Sequence, residues 1–283
     1  MKPGMRKISM FTVLIAAMLL AALPSLAAAQ TPPPETLAPA PSPIVIRVDH
    51  TPVFELYDGG GGLPYLGSST SYNAGDWENA LRAYHQLGVY DNQIAQIDAI
   101  AQKTLARRVH QGHFRTRKGR FQKGHGRARV AMFHNKKLAI VLDVDETSLS
   151  NYTAINADNF TFGPASQAEA TNEIGTAIAP TLALFKEAQQ NGVAVFFITG
   201  RRENTRAHTT SNLNREGFTG FTQLILKPDA STDSTVVYKS NARAGIEQQG
   251  YDIVENVGDQ YSDLAGNHAD VGFKLANPFY FLP

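Results

Sequence analysis

The second half of the chain alternates between short apolar runs and helical patterns, and this alternation restricts the folds open to it. Residues 138–142, Leu-Ala-Ile-Val-Leu, form an unbroken apolar run that is typical of a strand buried on both faces. Similar runs lie at 193–198, 224–226, 251–257 and 271–275. Strands that alternate with helices predict a mainly parallel central sheet flanked by helices, joined by right-handed crossovers. We therefore expect an α/β, Rossmann-like fold.

Helical periodicity fills the gaps between these predicted strands and also precedes them. Between the strands it covers 180–190, 203–215 and 238–249. Upstream, apolar residues recur at spacings of three and four from Asn73 to about Arg108, and Leu87-Gly88 divides this region into two helices. The sequence thus predicts an N-terminal helical segment in front of the sheet.

The first 29 residues have the pattern of a secretory signal peptide. Lys2, Arg6 and Lys7 give a positive start, an apolar run follows from Ile8 to Leu23, and Ala27-Ala28-Ala29 supplies the small residues of a cleavage site. The alternative is a retained anchor, but the run is shorter than the ~20 residues of a spanning helix. We therefore predict a secreted or periplasmic protein without a membrane span.

Two further segments differ in composition from a folded core. Residues 30–64 are rich in proline and glycine, with six prolines between Thr31 and Pro43, and we interpret them as a linker. From Lys103 to Lys137 there are 12 Lys or Arg and no acidic residue. We interpret 109–137 as a basic loop or insertion. It is either a solvated segment or a surface that attracts anionic surfaces or polyanionic substrates.

Composition excludes several classes of function. The chain has no cysteine, which excludes disulfides, a cysteine nucleophile and thiolate metal sites. It carries 26 Lys and Arg against 25 Asp and Glu, and three of the basic residues lie in the signal peptide, so the remainder has a net charge of −2. No overall attraction to nucleic acid follows from such a balance, and we predict no stable nucleic-acid complex.

Polar residues suited to phosphate chemistry follow the predicted strands. Asp143-Val144-Asp145-Glu146-Thr147 follows the first strand, Thr199-Gly200-Arg201 the second and Gly258-Asp259-Gln260-Tyr261-Ser262-Asp263 the fourth. Lys239 lies at the start of the helix after the third strand. Because ligands bind at the carboxyl ends of the strands in open α/β sheets, we expect these residues to converge there.

The acidic residues predict a magnesium site. Asp143 and Asp145 can offer one hard cation a side chain and a backbone carbonyl, and Asp259 completes the protein ligands. Asp263 belongs to the same metal site and orients a metal-bound water. Oxygen-only donors favour Mg²⁺ over zinc.

The same set of residues suits transfer of a phosphoryl group. Asp143 can attack phosphorus and form an acyl phosphate. Asp145 can protonate the leaving alcohol and then deprotonate the hydrolytic water. Thr199, the N–H of Gly200 and Lys239 can bind the phosphate oxygens and neutralise their charge.

These motifs resemble those of the haloacid dehalogenase (HAD) superfamily, and match best its acid phosphatase branch, subfamily IIIB. That branch includes class B and class C bacterial enzymes and plant acid phosphatases and vegetative storage proteins. The resemblance covers residues 65–283. It implies a HAD fold with Asp143 as nucleophile, Asp145 as acid and base, and Lys239 as the motif lysine. Lys227 is the rival lysine, and Lys239 is preferred because it opens the helix before the fourth strand.

Residues 147–179 lie where a small cap would cover the site. Its aromatic residues Tyr152, Phe160 and Phe162 either stack on an aromatic or nucleoside leaving group, with Tyr152 as a substrate-binding residue, or pack the cap onto the core. The resemblance implies an exported Mg²⁺-dependent acid phosphatase that acts on small phosphate monoesters. The alternatives are a phosphotransferase of the same fold and a non-catalytic storage or anion-binding protein. Assembly into a homo-oligomer is left open.

Overall fold

The computed structural model describes residues 44–46, 54–58, 74–116, 132–133 and 135–282. The predicted signal peptide, residues 1–29, lies outside these ranges, as do most of the linker and residues 117–131 of the basic segment. Within the described ranges, no helix combines the length and the hydropathy needed to cross a membrane.

An eight-stranded sheet forms the centre of the fold. Its strands are β1 (Ile44–Ile46), β2 (Phe54–Asp58), β3 (Met132–Phe133), β4 (Lys136–Leu142), β7 (Ala194–Arg202), β8 (Gln223–Lys227), β9 (Tyr251–Gly258) and β10 (Val271–Lys274). A separate two-stranded sheet consists of β5 (Leu149–Ser150) and β6 (Thr176–Ala177).

The large sheet has the order β1-β2-β10-β9-β4-β7-β8, with β3 paired to β4 outside this path. The pairs from β2 through β8 are all parallel, whereas β1–β2 and β3–β4 are antiparallel. The five strands predicted from apolar runs are present as β4, β7, β8, β9 and β10. The predicted α/β fold with a mainly parallel sheet is therefore confirmed.

Eight α-helices and one 3-10 turn are found in the described residues. The helices are α1 (Ala74–Gln86), α2 (Val89–Thr116), α3 (Tyr152–Ala157), α4 (Pro164–Asn172), α5 (Ala179–Gln190), α6 (Arg206–Arg215), α7 (Thr235–Gln248) and α8 (Tyr261–Leu264), and the 3-10 turn covers Glu203–Thr205. The predicted N-terminal helical segment corresponds to α1 and α2. Between β4 and α5, where a cap was predicted, lie β5, α3, α4 and β6.

Strand β4 shows why the sheet needs helices on both faces. Leu138, Ile140 and Leu142 pack into one apolar cluster together with residues of α2 and α5. Ala139 and Val141, which point to the other face, pack with α7 residues in a second cluster. Because successive residues of a strand point to opposite faces, a run without polar residues places apolar side chains against the helices on both faces of the sheet.

Two predictions about the N-terminal half are wrong in part. Residues 44–46 and 54–58, assigned to the linker, form strands that extend the sheet beyond β10. The prolines in this region led us to interpret it as a linker, although proline is tolerated beside edge strands. Residues 109–116, assigned to the basic loop, are helical instead, since α2 continues to Thr116 and buries Leu105 and Val109. Apolar residues thus continue at helical spacing among the basic residues.

Two acidic side chains, Asp98 of α2 and Glu255 of β9, are fully buried in the core. Asp98 accepts a hydrogen bond of 2.9 Å from Thr181 Oγ1 of α5. Its other oxygen and both carboxylate oxygens of Glu255 have no hydrogen-bond partner among the described residues. Burial raises the pKa of Asp98 to about 7, and burial together with the nearby Asp98 raises the pKa of Glu255 well above its usual range.

We predict that these two carboxyls make the fold less stable as the pH rises from about 4 to about 7. Each of them lowers the free energy of unfolding by on the order of 1 kcal/mol per pH unit. In this range the unfolded carboxyls have lost their protons while the folded ones still hold them, so unfolding releases protons. Thermal midpoints measured across the range should fall less steeply for Glu255→Gln than for the wild type. Asp252→Asn, on the same strand, is the control, and equal slopes for wild type and Glu255→Gln would contradict the prediction.

Candidate active site

Lys239 lies between two carboxylates at the carboxyl edge of the sheet. Its Nζ is 2.6 Å from Asp143 Oδ1, directly after β4, and 2.5 Å from Asp263 Oδ1, in α8. All three side chains are buried. Lys227, the rival lysine, instead donates to the backbone oxygen of Asp233, 2.5 Å away. The structure therefore brings Lys239, and not Lys227, to Asp143.

The charges in this cluster shift the pKa of each member. Burial acts to lower the pKa of Lys239, but Asp143 and Asp263 raise it above its ordinary value, so the amine stays charged. Burial raises the pKa of Asp143 well above its usual range despite the opposing effect of Lys239. Burial and the charge of Asp263 raise the pKa of Asp259 to about 6. Three carboxylates against one amine leave an excess of negative charge when all of them are ionised.

Asp143, Asp259 and Asp263 form a group that could hold a metal ion. Each offers one carboxylate oxygen, and these oxygens lie within 4.8 Å of one another. A divalent cation would balance the excess of buried negative charge, and oxygen donors suit the hard cations Mg²⁺ and Ca²⁺. Three of the four predicted metal residues are therefore brought together by their side chains.

Asp145, the fourth, has its side chain outside that group. Its carboxylate accepts hydrogen bonds from Arg201, at 2.6 Å from Nη2 and 3.0 Å from Nε, and from Asn151 Nδ2 at 2.8 Å. Burial opposes ionisation, but Arg201 and these hydrogen bonds hold the pKa of Asp145 below its ordinary value. The side chain is thus ruled out as part of the carboxylate group; the predicted contact through the backbone carbonyl stays a prediction.

Thr199 and Gly200 lie at the end of β7, beside β4. Thr199 is fully buried, and its Oγ1 accepts a 3.1 Å hydrogen bond from the backbone N–H of Arg201. Gly200 is exposed, and a Cβ at this position would have no neighbour within 4 Å. The strand end therefore offers open space in which a phosphate group could approach the backbone.

Asp259 is held by three neutral donors, none of which the sequence analysis assigned to the site. Thr147 Oγ1 lies 3.2 Å from its Oδ1, and Gln260 Nε2 and Asn277 Nδ2 lie 2.6 Å and 2.7 Å from its Oδ2. Asn277 follows β10 and so reaches the site from a distant part of the chain. No motif around Asn277 signals this contact, because it depends on how the chain returns after β10.

The turn after β4 is fixed by Glu146, which was also not assigned. Glu146 has a left-handed backbone, with a φ of 49°, and its carboxylate accepts hydrogen bonds from the N–H of Asn151 (2.6 Å) and from Tyr280 Oη (2.8 Å). Ser148 Oγ donates to the backbone oxygen of Asp143 at 2.6 Å. These contacts fix the backbone of the turn that contains Asp143 and Asp145.

Tyr152 belongs to an aromatic cluster between the N-terminal helices, the cap region and the C-terminal segment. Its ring stacks on His85, with centroids 3.5 Å apart and planes 2° apart, and lies 5.3 Å from Phe279. Phe160 joins this cluster, whereas Phe162 is 80% exposed. One face of Tyr152 is therefore already covered by His85, and its role in substrate binding stays a prediction.

Gly258 permits the close approach of β9 and Asp263. A Cβ at residue 258 would lie 2.5 Å from Asp263 Cβ and 2.6 Å from its Oδ2. The Asp263 carboxylate also accepts the N–H of Gln260 at 2.9 Å, which closes a capping box at the start of α8. A side chain at 258 would consequently displace the carboxylate.

We predict that Gly258→Ala destabilises the protein by about 1–3 kcal/mol, the usual effect of overpacking, and weakens metal binding because Asp263 must move. Gly245→Ala is the matched control. A Cβ on Gly245, within α7, would meet nothing within 4 Å, so this change should raise stability by up to about 1 kcal/mol. Urea denaturation measures both, and equal effects of the two substitutions would contradict the packing argument.

Comparison with known proteins identifies the family to which the chain is similar. The model of the HAD superfamily, subfamily IIIB (acid phosphatase), matches residues 69–283. Acid phosphatase 1 of Solanum lycopersicum is 35% identical over 148 residues, which is 50% of this chain and 58% of the relative. Vegetative storage protein 1 of Arabidopsis thaliana is 33% identical over 166 residues, 54% of this chain and 62% of the relative. The matches thus span less than two thirds of these relatives.

A solved structure supports the fold. The class C acid phosphatase of Bacillus anthracis aligns with a TM-score of 0.52 at 20% identity, covering 71% of this chain and 83% of that chain. The resemblance predicted from the strand-end motifs is confirmed by the family match. The chain belongs to the acid phosphatase subfamily IIIB of the HAD superfamily.

Proposed function

We propose that this protein is an exported, Mg²⁺-dependent acid phosphatase that hydrolyses small phosphate monoesters through an aspartyl-phosphate on Asp143. The observation that carries the proposal is the contact of Lys239 with Asp143 inside a buried group of three carboxylates. Family membership adds support, since the matching relatives include a protein named acid phosphatase.

Asp143, Asp259 and Asp263 would hold the cation. When bound, Mg²⁺ supplies positive charge that reduces the repulsion between the carboxylate nucleophile and the phosphoryl oxygens. Lys239, whose Nζ lies 2.6 Å from Asp143 Oδ1, contributes a second positive charge. The open backbone at Gly200 would receive the remaining phosphoryl oxygens through its N–H.

In the first step, a carboxylate oxygen of Asp143 attacks phosphorus, and the bond between phosphorus and the ester oxygen breaks. The leaving alcohol takes its proton from Asp145. In the second step, water attacks the phosphorus of the acyl phosphate and gives a proton to Asp145. Inorganic phosphate is released and Asp143 is regenerated, so atoms and protons balance over the cycle.

The ion pair between Asp145 and Arg201 affects the protonation state of Asp145, on which both steps depend. Arg201 favours the ionised form of Asp145, which is the form that accepts a proton from water. The first step needs the protonated form, whose population grows as the pH falls. Asp143 must be ionised in the same step, so a leaving group that needs a proton requires protonated Asp145 and ionised Asp143 together.

Export is supported by the sequence of the first 29 residues, with their basic start, apolar run and small residues at the cleavage site. A secreted or periplasmic location follows from such a leader. The absence of cysteine from the chain is compatible with an oxidising compartment, since no thiol is exposed to it.

We predict that the protein releases p-nitrophenol from p-nitrophenyl phosphate with Mg²⁺, and that EDTA abolishes this activity. Asp143→Asn should show no turnover above background, because an amide cannot form the acyl phosphate. Circular dichroism would verify that the variant is folded. Turnover that survives Asp143→Asn would reject the proposed nucleophile, while folded wild type without turnover would favour a storage or anion-binding role. Transfer of phosphate to added alcohols would show the phosphotransferase alternative.

We predict that Asp145→Asn lowers turnover of an alkyl phosphate by about 10²–10⁴-fold, and slows formation of the acyl phosphate from p-nitrophenyl phosphate far less. p-Nitrophenolate can leave without being protonated, whereas an alkoxide leaving group must receive a proton. Rapid-mixing measurements should show a burst of p-nitrophenolate followed by slow turnover, because deprotonation of water is still impaired. Equal loss of the first step for both substrates would contradict the role of Asp145 as an acid.

A further inference from the structure

The loop that carries Asp259 and Asp263 is held by side chains on one face of α7. Lys239 donates to the carboxylate of Asp263, and Ser240 Oγ donates to the backbone oxygen of Gly266 at 2.5 Å. One turn further along the helix, Arg243 reaches into the same loop. Residues three and four apart lie on the same helix face, so all three side chains approach the loop together.

Arg243 is fully buried and donates to three backbone carbonyls. Its Nη1 lies 2.6 Å from the oxygen of Asp263 and its Nε lies 2.8 Å from the oxygen of Asn267. Its Nη2 donates to the oxygen of Ala265. Alternate carbonyls of the loop therefore converge on one guanidinium.

The backbone held in this way is unfavourable without support. Gly266, Asn267 and His268 are consecutive residues with left-handed φ values of 86°, 64° and 67°. A left-handed backbone is unfavourable for residues that carry a Cβ, as two of these do, and persists only where surrounding contacts fix it. Arg243 binds the carbonyl of Asn267 within this stretch and two carbonyls just before it.

Arginine suits this position better than lysine. The guanidinium is planar, with donors in a fixed fork, and can bind three acceptors that lie in different directions. Burial lowers the pKa of Arg243 to about 10, which still leaves it charged at neutral pH. Its positive charge also lies close to Asp263, whose backbone oxygen it binds.

We propose that Arg243 is a positioning residue that sets the affinity of the metal site by fixing Asp263 relative to Asp143 and Asp259. This inference rests on the metal-dependent function proposed above. Asp263 is connected to the metal group through its side chain and to Arg243 through its backbone oxygen. Movement of the loop would therefore change the position of one of the three carboxylates.

Mn²⁺ binding, followed by the EPR signal of free Mn²⁺, tests the inference without relying on activity. Arg243→Lys should raise the dissociation constant by about 10–100-fold, as is usual for residues that orient metal ligands. Turnover at saturating metal should change far less than the dissociation constant. In Arg243→Ala, added guanidinium should restore part of the affinity, whereas added ammonium should restore less.

Two further variants keep the test decisive. Arg215→Lys is the matched control, because Arg215 binds Glu173 and Glu216 on the surface and should leave Mn²⁺ affinity unchanged. Ser240→Ala removes the exposed hydrogen bond to Gly266 and should weaken Mn²⁺ binding without preventing folding, even if the Arg243 variants do not fold.

The outcomes separate this inference from the proposed function. Unchanged Mn²⁺ affinity in Arg243→Lys and Ser240→Ala, with only a lower melting temperature, would show a purely structural role and overturn the inference. Wild type that fails to bind Mn²⁺ would also overturn it. Wild type that binds Mn²⁺ but releases no phosphate, with weaker binding in the variants, would support the inference and reject the phosphatase activity.

Discussion

The contact of Lys239 with Asp143 and Asp263 connects three parts of the fold that are far apart in sequence. It joins the end of β4, helix α7 and the loop after β9, and it does so in a buried environment. Removing one partner of a buried ion pair leaves an uncompensated charge and typically costs about 3–5 kcal/mol. The position of these elements is therefore tied to the charge balance of the site, and a bound divalent cation would strengthen the same connection.

Around this contact, the remaining polar residues determine where each carboxylate points. Asn277 and Gln260 hold one oxygen of Asp259, while Arg201 and Asn151 hold Asp145 apart from the other three. The four aspartates of the two motifs are consequently divided into two environments. One is rich in negative charge and suited to a cation, and the other is ionised beside an arginine and suited to proton transfer.

The loop after β9 shows how a segment with an unfavourable backbone is held in one geometry. Its left-handed residues would not hold their conformation alone, and Gly258 allows Asp263 to lie directly against the strand. Helix α7 supplies Lys239 to the side chain and Arg243 to the backbone of the same loop. Because one rigid helix makes both contacts, the position of the metal group relative to the amine is set by helix geometry.

The sequence by itself determined five strands of the sheet, their parallel direction and the residues at their carboxyl ends, because apolar runs and strand-end motifs are local patterns. Only the tertiary structure decided which acids share one site, that Asp145 faces Arg201, and that Asn277, Tyr280 and Arg243 support it. These contacts join segments separated by 18 to 134 residues, and nothing local in the sequence records them. The strands at 44–46 and 54–58 were missed for a similar reason, since 54–58 pairs with β10 and 44–46 pairs with 54–58.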